Sequence, residues 1–580
     1  MTLDGLTLSI VVRELRESIM GAKVQKVLMP GREELVFGLY VPGTGNIRLV
    51  ASADAGDCAV YVTNAAKSNP KTPPSFCMLL RKHLIGAVIE NIEQTGLNRV
   101  VTIYFSAKDE LMRPVSPRLV IEIMGKYSNI ILTDGGGKII DSIKRISMDQ
   151  SSKRQILPGL PYADPPQQKF DPLGISQTTL DEALVTKKDT RIISHITSTF
   201  EGISSQTAAE VLCRAGIAAS FISEFSGKQF ERIGLTIKDF METAQETPRP
   251  CVQFNEDGLP VFFSCVPYKT FPDTHRKSFD HCNEMLDFYY TRRAEMFRLS
   301  QQREALEKNI GKLLHKLDKR INIYRNSIAD ARRAGKVKKR ADAITANIYR
   351  LKKGMADFEM VDYETGEPVT VALDLSMTPQ ELAQKLYKKV AKQKTALAMN
   401  TVRLDDALEE QDFLLGALHY AENAQTSNDI EEIKATLVKA GYLPKPPKGK
   451  AKEESESQPL RFTSPSGYEI LVGKNDRQND NLTMRTAGRD DIWFHAQKIP
   501  GSHVLLVTDG KTLDEIDDET VVYAAQLAAA HSRARQSGKT PVDYTQRKNI
   551  KKPPGARPGK VIYDDYFTVY VDADKIERKQ

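Results

Sequence analysis

The sequence has few of the features that mark secreted, membrane-embedded or disulfide-stabilised proteins. Its six cysteines are scattered and form no C-x-x-C pair, so we expect buried thiols in a reducing compartment. The longest apolar runs, such as residues 6–12, fall well short of the roughly 18 residues that span a bilayer. No basic segment precedes the apolar residues at the N-terminus, so we expect no secretory signal. These absences predict a cytoplasmic protein with no membrane association.

Catalytic motifs are equally scarce. The sequence holds no Walker A run, no G-x-S-x-G and no H-E-x-x-H. Its one dense grouping of histidines and acids is His495 and His503 near Asp490 and Asp491. A metal site needs three or four ligands that converge on one point, and the sequence does not show them here. We therefore expect no metal and no cofactor. Trp493, the only tryptophan, alternates with Asp491 and His495, which favours a core position over a base-stacking surface.

A long polar stretch, from about residue 280 to 440, has the apolar spacing of a coiled coil. Apolar residues recur at steps of seven, four or three: Leu299, Leu306, Ile310, Leu313, Leu317, Ile321, Tyr324 and Ile328. Such a seam needs a partner helix to bury it. A second helical run extends from Pro379 to Glu422, nearly as long as the first run of about 48 residues, roughly 70 Å. The two runs predict an antiparallel arm, with a helix break at Gly335.

The 580 residues are too many for one core, and composition divides them into five parts. We predict a multidomain α+β protein. Its parts are an α+β domain (1–170), a helix-hairpin-helix domain (171–246), a coiled-coil arm (247–443) with its tip at about 334–378, a disordered charged linker (444–459) and an α/β domain (460–580). The helix-hairpin-helix prediction depends on the turn at Gly202, for which a plain helical hairpin is the alternative.

Two basic clusters predict contact with a polyanion, although the formal net charge is only +7. One lies at the predicted tip: Arg332, Arg333, Lys336, Lys338, Lys339 and Arg340. The other lies in residues 533–560, where nine basic residues face one acid, Asp543, and where prolines favour an extended chain with Tyr544 as a stacking face. Its candidate RNA contacts are Arg533, Arg535, Arg547, Lys548, Lys551 and Lys552. A solvated surface is the alternative for both clusters.

Three long strings and the order of the parts resemble the NFACT family over essentially the entire chain. The strings are PPSFCMLLRKHLIGA, EIMGKYSNIIL and DDIWFHAQKIPGSHV. The resemblance implies an N-terminal fold similar to that of the formamidopyrimidine DNA glycosylases. The chain begins Met-Thr-Leu, so it lacks the Pro-Glu start on which glycosylase chemistry depends.

The resemblance also implies a role in ribosome-associated quality control. Family members bind a large ribosomal subunit obstructed by peptidyl-tRNA and recruit alanyl-tRNA. They direct untemplated alanine tailing of the stalled chain, which marks that chain for degradation. Because the ribosome makes the peptide bond, the resemblance implies a factor and not an enzyme. It places the arm along ribosomal RNA and stalk-base protein, with the chain bound as a monomer.

Residue by residue, the family's Asp-Arg pair for tRNA recognition falls on Asn98-Arg99. The arginine matches, whereas Asn98 keeps a hydrogen-bonding side chain without the charge. The second tRNA-contacting string is intact at Glu122, Ile123, Met124 and Gly125. Three alternatives stay open: a ribosome-binding relative that has lost tailing, a fibronectin-binding surface adhesin as the family's older label says, and a DNA-processing enzyme.

Overall fold

The computed structural model describes residues 3–573 apart from 68, 152–153, 167–168, 186–189, 257, 363–365, 446–456 and 536–537. The chain divides into two compact units, Met1–Met296 and Phe297–Gln580. Most of the predicted linker, residues 446–456, lies outside the described residues. The five domain boundaries drawn from the sequence remain predictions.

The first unit begins with a large antiparallel sheet. Its strands are β1 (Lys23–Gly31), β2 (Glu34–Val41), β3 (Gly45–Ser52), β4 (Ala59–Thr63), β5 (Val88–Gln94), β6 (Val100–Lys108), β7 (Pro114–Val115), β8 (Arg118–Glu122), β9 (Asn129–Thr133) and β10 (Ile139–Ser142). They are ordered β10-β9-β8-β6-β5-β1-β2-β3-β4, with β7 on β6. Helices α1 (Gly5–Ile19) and α2 (Ser75–Leu84) accompany the sheet. The sequence favours Asp4 as the N-cap of α1, because a short acidic side chain before a helix start accepts its free N–H groups, and in the structure Asp4 accepts the Thr7 N–H at 2.8 Å.

Short helices follow the sheet and share its core. They are α3 (Gln177–Leu184), α4 (Ile192–Thr199), α5 (Ser205–Ala215) and α6 (Gly227–Glu246). A three-stranded sheet comes next, made of β11 (Cys251–Phe254), β12 (Pro260–Ser264) and β13 (Arg276–Ser278). One continuous cluster of buried side chains joins Leu6 of α1, Ile121 of β8 and Phe240 of α6. The helices are therefore packed on the N-terminal sheet, and they fix the position of its loops.

The arm is an antiparallel helix pair with a folded tip. Its elements are α7 (Cys282–Arg332), α8 (Ala334–Ala346), β14 (Asp357–Val361), β15 (Pro368–Ala372), α9 (Pro379–Glu422) and α10 (Ser427–Lys439). Residue numbers rise along α7 as they fall along α9: Gln411 bonds Asp318 at 2.6 Å, and Asn400 bonds Ser327 at 2.7 Å. Seam residues such as Ile310 are buried between the helices. The helix is interrupted at Arg333, between α7 and α8, two residues before the predicted break at Gly335, which is itself helical within α8.

The C-terminal domain is a mixed layer of sheet and helix. Its elements are β16 (Leu460–Thr463), β17 (Glu469–Val472), α11 (Asp476–Asn481), β18 (Ile492–Ala496), β19 (Val504–Leu506), α12 (Asp518–Ala530), β20 (Lys539–Gln546), β21 (Ile550–Lys551), β22 (Ile562–Tyr563) and β23 (Phe567–Asp572). The main sheet has the order β16-β17-β19-β18-β20-β23. Strand β20 corrects the prediction of an extended basic loop, because it is an interior strand whose Val542 enters the core under α12.

Among the described residues, no helix combines the length and the apolar character needed to cross a bilayer.

Candidate RNA-binding sites

A pocket of about 420 Å³ lies in the first unit, where the starts of α1 and α5 meet the loop between β5 and β6. Its lining residues are Asp4, Gly5, Leu97, Asn98, Arg99, Met124, Pro165, Pro166, Lys169, Thr197, Glu201, Gly202, Ile203, Ser204, Ser205 and Gln206. The fold thus brings Asn98, Arg99 and Met124, predicted from separate strings, into one cavity. The helical segment contributes the opposite wall.

Two glycines allow the walls of this pocket to approach closely. A Cβ added at Gly5 would lie 1.8 Å from the Leu97 carbonyl oxygen and 2.9 Å from the Gly202 Cα. Gly202 has a φ of +73°, a left-handed conformation that favours glycine. The Leu6 N–H donates to the Gly202 carbonyl at 3.4 Å. The loop carrying Arg99 is therefore packed directly against α1 and the turn before α5.

The pocket concentrates positive charge. Within the described part of the chain, the Arg99 guanidinium has no hydrogen bond or ion pair. The Lys169 ammonium donates to the Thr197 carbonyl at 2.7 Å. Partial desolvation of that ammonium, together with the nearby charge of Arg99, lowers the pKa of Lys169. Since the two like charges repel each other, an anion bound between them would relieve the repulsion.

The start of helix α5 adds further donors. Ser204 caps the helix by accepting the Thr207 N–H at 3.1 Å. The N–H groups of Ser205 and Gln206, which have no intrahelical partner, lie at the pocket, where the positive end of the helix dipole also favours an anion. Two cations beside a helix start form an arrangement suited to a phosphate group.

Two acids limit where an anion can sit. The Asp4 carboxylate, besides capping α1, accepts the Thr207 hydroxyl at 3.0 Å, and burial raises its pKa. The Glu201 carboxylate accepts the Leu97 N–H at 3.2 Å, and burial raises its pKa as well. Sequence reasoning treated Asp4 only as a helix cap and did not single out Lys169, because neither lies near Arg99 in the chain.

Most residues of the string Glu122–Gly125 lie behind the pocket and hold its wall in place, and few of them line it. The Glu122 carboxylate is 1% exposed and accepts hydrogen bonds from Arg154 at 2.6 and 3.0 Å and from Tyr162 at 3.0 Å. Ile123 is buried, and its N–H donates to the Arg99 carbonyl at 2.8 Å. Only Met124 lines the cavity, and Gly125 follows it with a φ of +59°. The string thus ties the end of β8 to the backbone of Arg99.

The tip presents more basic surface than the sequence prediction included. Arg332, Arg333, Lys336 and Lys338 are exposed, and Lys339 and Arg340 line a groove. Three further exposed basic residues follow α8, namely Arg350, Lys352 and Lys353. Tyr349 beside them is 82% exposed. An exposed aromatic ring next to basic side chains can stack on an unpaired base.

The basic residues of the C-terminal domain are partly engaged within the protein. Arg547 donates to the carbonyls of Thr483 and Ile550, the latter at 3.1 Å. Lys552 pairs with Asp480 at 2.6 Å. Lys548 and Lys551 each lie 3.9 Å from a carboxylate, and Arg533 and Arg535 are exposed. The domain therefore offers fewer free cations than its sequence suggests.

Two basic residues that the prediction omitted lie against the base of the arm. The Arg557 guanidinium lies 4.8 Å from the centre of the Phe413 ring. Lys560 pairs with Glu409 at 2.9 Å.

The packing of Tyr544 and Trp493 shows whether either ring of this domain is free to stack on a base. Tyr544 lies between Phe494 and Phe567, with ring centres 5.4 and 5.6 Å away, so its ring already stacks within the protein. Trp493 is 1% exposed, which confirms the predicted core position.

His495 and His503 pack beside Trp493, at 5.6 and 5.1 Å between ring centres. Burial lowers the pKa of His495 to about 4 and lowers that of His503 as well, so both rings are neutral at pH 7. Among the described residues, no group of three or more His, Cys, Asp or Glu side chains is placed to hold a metal ion.

Comparison with known proteins gives two family matches. Residues 4–456 match the NFACT N-terminal and middle domains, and residues 458–565 match the NFACT protein RNA binding domain. The Rqc2 homolog RqcH of Bacillus subtilis is 35% identical over 99% of both chains. That of Streptococcus suis is 32% identical over 100% of this chain and 99% of its own.

Among solved structures, the N-terminal part of the fibronectin/fibrinogen-binding protein from Streptococcus suis is 30% identical. The match covers 50% of this chain and 99% of that one, with a TM-score of 0.41.

Proposed function

This chain belongs to the NFACT family, and from that membership we propose that it acts in ribosome-associated quality control. It binds a large ribosomal subunit obstructed by peptidyl-tRNA and recruits alanyl-tRNA. It directs untemplated C-terminal alanine tailing, and the tail marks the stalled chain for degradation. It works as a cytoplasmic monomer on the ribosome. It is not an enzyme, because the ribosomal peptidyl transferase centre makes the peptide bond.

The observation that carries the tRNA part of this proposal is the pocket at Arg99. Its guanidinium has no hydrogen bond or ion pair with the described residues, and it lies beside Lys169 and the start of α5. A phosphate of the tRNA backbone would bond the guanidinium and the helix N–H groups together. Asn98 at the rim offers an amide that can both donate and accept. A base edge is the natural partner for such a group.

The remaining basic surfaces supply affinity for ribosomal RNA. The exposed residues of the tip and Arg533 and Arg535 of the C-terminal domain are far apart in the chain, so they suit separate backbone contacts. The length of the arm lets the tip contact ribosomal RNA far from the base of the arm. Its two long helices are held together by one apolar cluster between Leu299 and Tyr324 of α7 and facing residues of α9, and a second cluster lies at the tip around Ile344.

Sequencing of the RNA that co-purifies with the tagged full-length chain tests the proposal. We expect large-subunit ribosomal RNA together with alanine tRNA. Ribosomal RNA without tRNA would instead indicate a relative that has lost tailing. Absence of both RNAs would contradict the proposal and leave the adhesin alternative.

Substitutions separate the tRNA site from the ribosome contacts. We expect Arg99→Ala to abolish tRNA recovery and to leave ribosomal RNA recovery unchanged, since the tip and the C-terminal domain are intact. Arg32→Ala is the matched control, because Arg32 is exposed and lies outside the pocket. Unchanged tRNA recovery in Arg99→Ala would mean that the site is assigned wrongly.

Asn98→Asp tests the departure from the family pair. The introduced carboxylate restores the Asp-Arg pattern beside Arg99, so tRNA recovery should be equal or higher. A clear loss would show that asparagine is adapted to the tRNA that this chain selects.

A further inference from the structure

A groove of about 770 Å³ runs along the tip of the arm, between helix α8 and strand β15. One wall is a single stripe of α8, consisting of Lys336, Lys339, Arg340, Asp342, Ala343 and Ala346. These positions recur at the three- and four-residue steps that share one helix face. The other wall is β15, with Met360 of β14 contributing to the floor. The cavity is large enough to hold several residues of an extended peptide.

The wall formed by β15 is its backbone edge. Four consecutive residues of the strand, from Val369 to Ala372, line the groove. Because successive side chains of a strand point to opposite faces, one face alone would supply only alternate residues. Among the described residues, β15 pairs with β14 and with no other strand. The groove therefore runs along an unpaired strand edge.

The hydrogen bonds show which backbone groups point into the groove. The Leu373 N–H bonds the Ala356 carbonyl of the hairpin at 2.7 Å. The Ala372 carbonyl points away from β14 and accepts the Arg340 guanidinium at 2.8 and 3.1 Å. Since inward and outward residues alternate along an antiparallel strand, the N–H and C=O of Thr370 also point outward. Arg340 thus occupies one end of the edge, and no other side chain in the described part of the chain bonds the backbone of Thr370, which stays open to a ligand.

We propose that this groove binds an extended acidic segment of a partner protein, which adds to β15 as a third strand. The backbone groups of Thr370 would bond the main chain of the segment. Met360 and Val371 would receive apolar side chains, and Lys336 at the exposed rim would attract carboxylates. Ala343 and Ala346 let the added strand approach α8 closely.

Charge complementarity favours an acidic segment. Besides the three basic residues that line the groove, the neighbouring Arg332, Arg333 and Lys338 are exposed. Of the two lining acids, Asp342 accepts the Tyr387 hydroxyl at 2.7 Å. The apolar floor offers nothing to a phosphate, and none of the described residues that line the groove has an aromatic ring to stack on a base. A protein segment therefore fits the groove better than RNA does.

The test begins with selection of random decapeptides on phage against the full-length chain. We expect enrichment of peptides with alternating apolar residues and flanking carboxylates. The affinity of one enriched acidic peptide is then measured by fluorescence anisotropy. Thr370→Pro removes one outward N–H at an edge position, and Ala346→Phe fills the groove. Each should weaken binding roughly tenfold or more, the loss expected for one good hydrogen bond or a steric block.

Charge and fold controls complete the experiment. Lys336→Glu should weaken peptide binding and reduce its salt dependence, whereas Lys312→Glu, on the exposed side of α7, should do neither. Thr370→Val keeps the N–H and should bind normally. Ala346→Phe leaves the backbone of β15 untouched, so it still tests the proposal if Thr370→Pro unfolds the hairpin.

Two outcomes would overturn the proposal. One is the absence of acidic sequences among the selected peptides. The other is peptide binding that Ala346→Phe leaves unchanged. If Ala346→Phe instead reduced binding of protein-free large-subunit ribosomal RNA as strongly as Lys336→Glu does, the groove would belong to RNA, which also refutes a protein ligand.

Discussion

The buried ion pair below the pocket gives the sharpest test of how this site is built. Glu122 is 1% exposed and its Arg154 partner's side chain 15% exposed, and Glu122 accepts three hydrogen bonds from Arg154 and Tyr162. Glu122→Gln keeps the shape of the side chain and removes its charge. Breaking one partner of a buried pair costs about 3 kcal/mol, mainly because the other charge is left uncompensated.

Hydrogen exchange read by mass spectrometry measures this cost locally. Peptides covering β8 and β9 should exchange roughly a hundredfold faster in Glu122→Gln, the rate change that corresponds to about 3 kcal/mol. The fluorescence of Trp493 should be unchanged, since this tryptophan lies in the C-terminal domain. In the double variant with Arg154→Met, which removes both charges, protection should largely return.

The same variants distinguish support from direct contact with tRNA. Ile123 follows Glu122 and holds the Arg99 carbonyl. Loosening of the strand end should therefore lower tRNA recovery in Glu122→Gln, and the double variant should restore it. If Glu122→Gln abolished tRNA recovery while exchange stayed at the wild-type rate, Glu122 would contact RNA directly and the supporting role would be refuted.

Three further predictions concern other parts of the chain. Because burial holds the pKa of His495 at about 4, the unfolded state binds a proton first as pH falls below about 6.5, and this histidine contributes a loss of up to about 3 kcal/mol by pH 4. Burial raises the pKa of Asp476 in the same domain to about 7, which acts in the opposite direction; the change in urea midpoint between pH 7 and pH 4, followed by Trp493 fluorescence, should therefore favour the folded state more in His495→Phe than in the wild type. Gly5→Ala places a Cβ 1.8 Å from a carbonyl oxygen and should destabilise the first unit by about 1–3 kcal/mol, measured as faster hydrogen exchange. It should also lower tRNA recovery, and wild-type exchange rates would contradict the close packing. Arg547→Ala should lower the same urea midpoint, since its side chain bonds two carbonyls, whereas Arg535→Ala should leave it unchanged and weaken only RNA binding.

Apolar periodicity and helix-capping residues predicted those elements that depend on residues close together in the chain. The Asp4 cap and the apolar seam of the arm depend on residues within a few turns of each other, and the structure has them where the sequence places them. The helix break is displaced by two residues, from the predicted Gly335 to Arg333. The antiparallel pairing of α7 and α9 followed from their similar lengths. Periodicity and capping are sufficient in such cases because neighbouring residues determine the outcome.

Strand β20 was missed because its signal is not local. Lys539–Gln546 is polar and follows a basic run, so the pattern indicates a loop. Its Asp543 is nevertheless 1% exposed, since it accepts hydrogen bonds from Tyr563 at 2.8 Å and Thr568 at 2.6 Å. Those partners lie 20 and 25 residues further along the chain. Polar residues can line a buried strand when distant groups satisfy them, and the sequence alone does not show those groups.

The same limit applies to function, because a sequence counts charges without showing which are already paired. Arg547, Lys552 and Lys560 all bond other parts of the protein, so they contribute to its architecture before they can contribute to RNA affinity. Arg99 has no such bond with the described residues, although it stands alone in a neutral loop and belongs to no basic run. Specific recognition of an anion needs a cation that is held in place through its backbone and left free at its charge. The Ile123 N–H bond to the Arg99 carbonyl supplies the first condition, and the open pocket supplies the second.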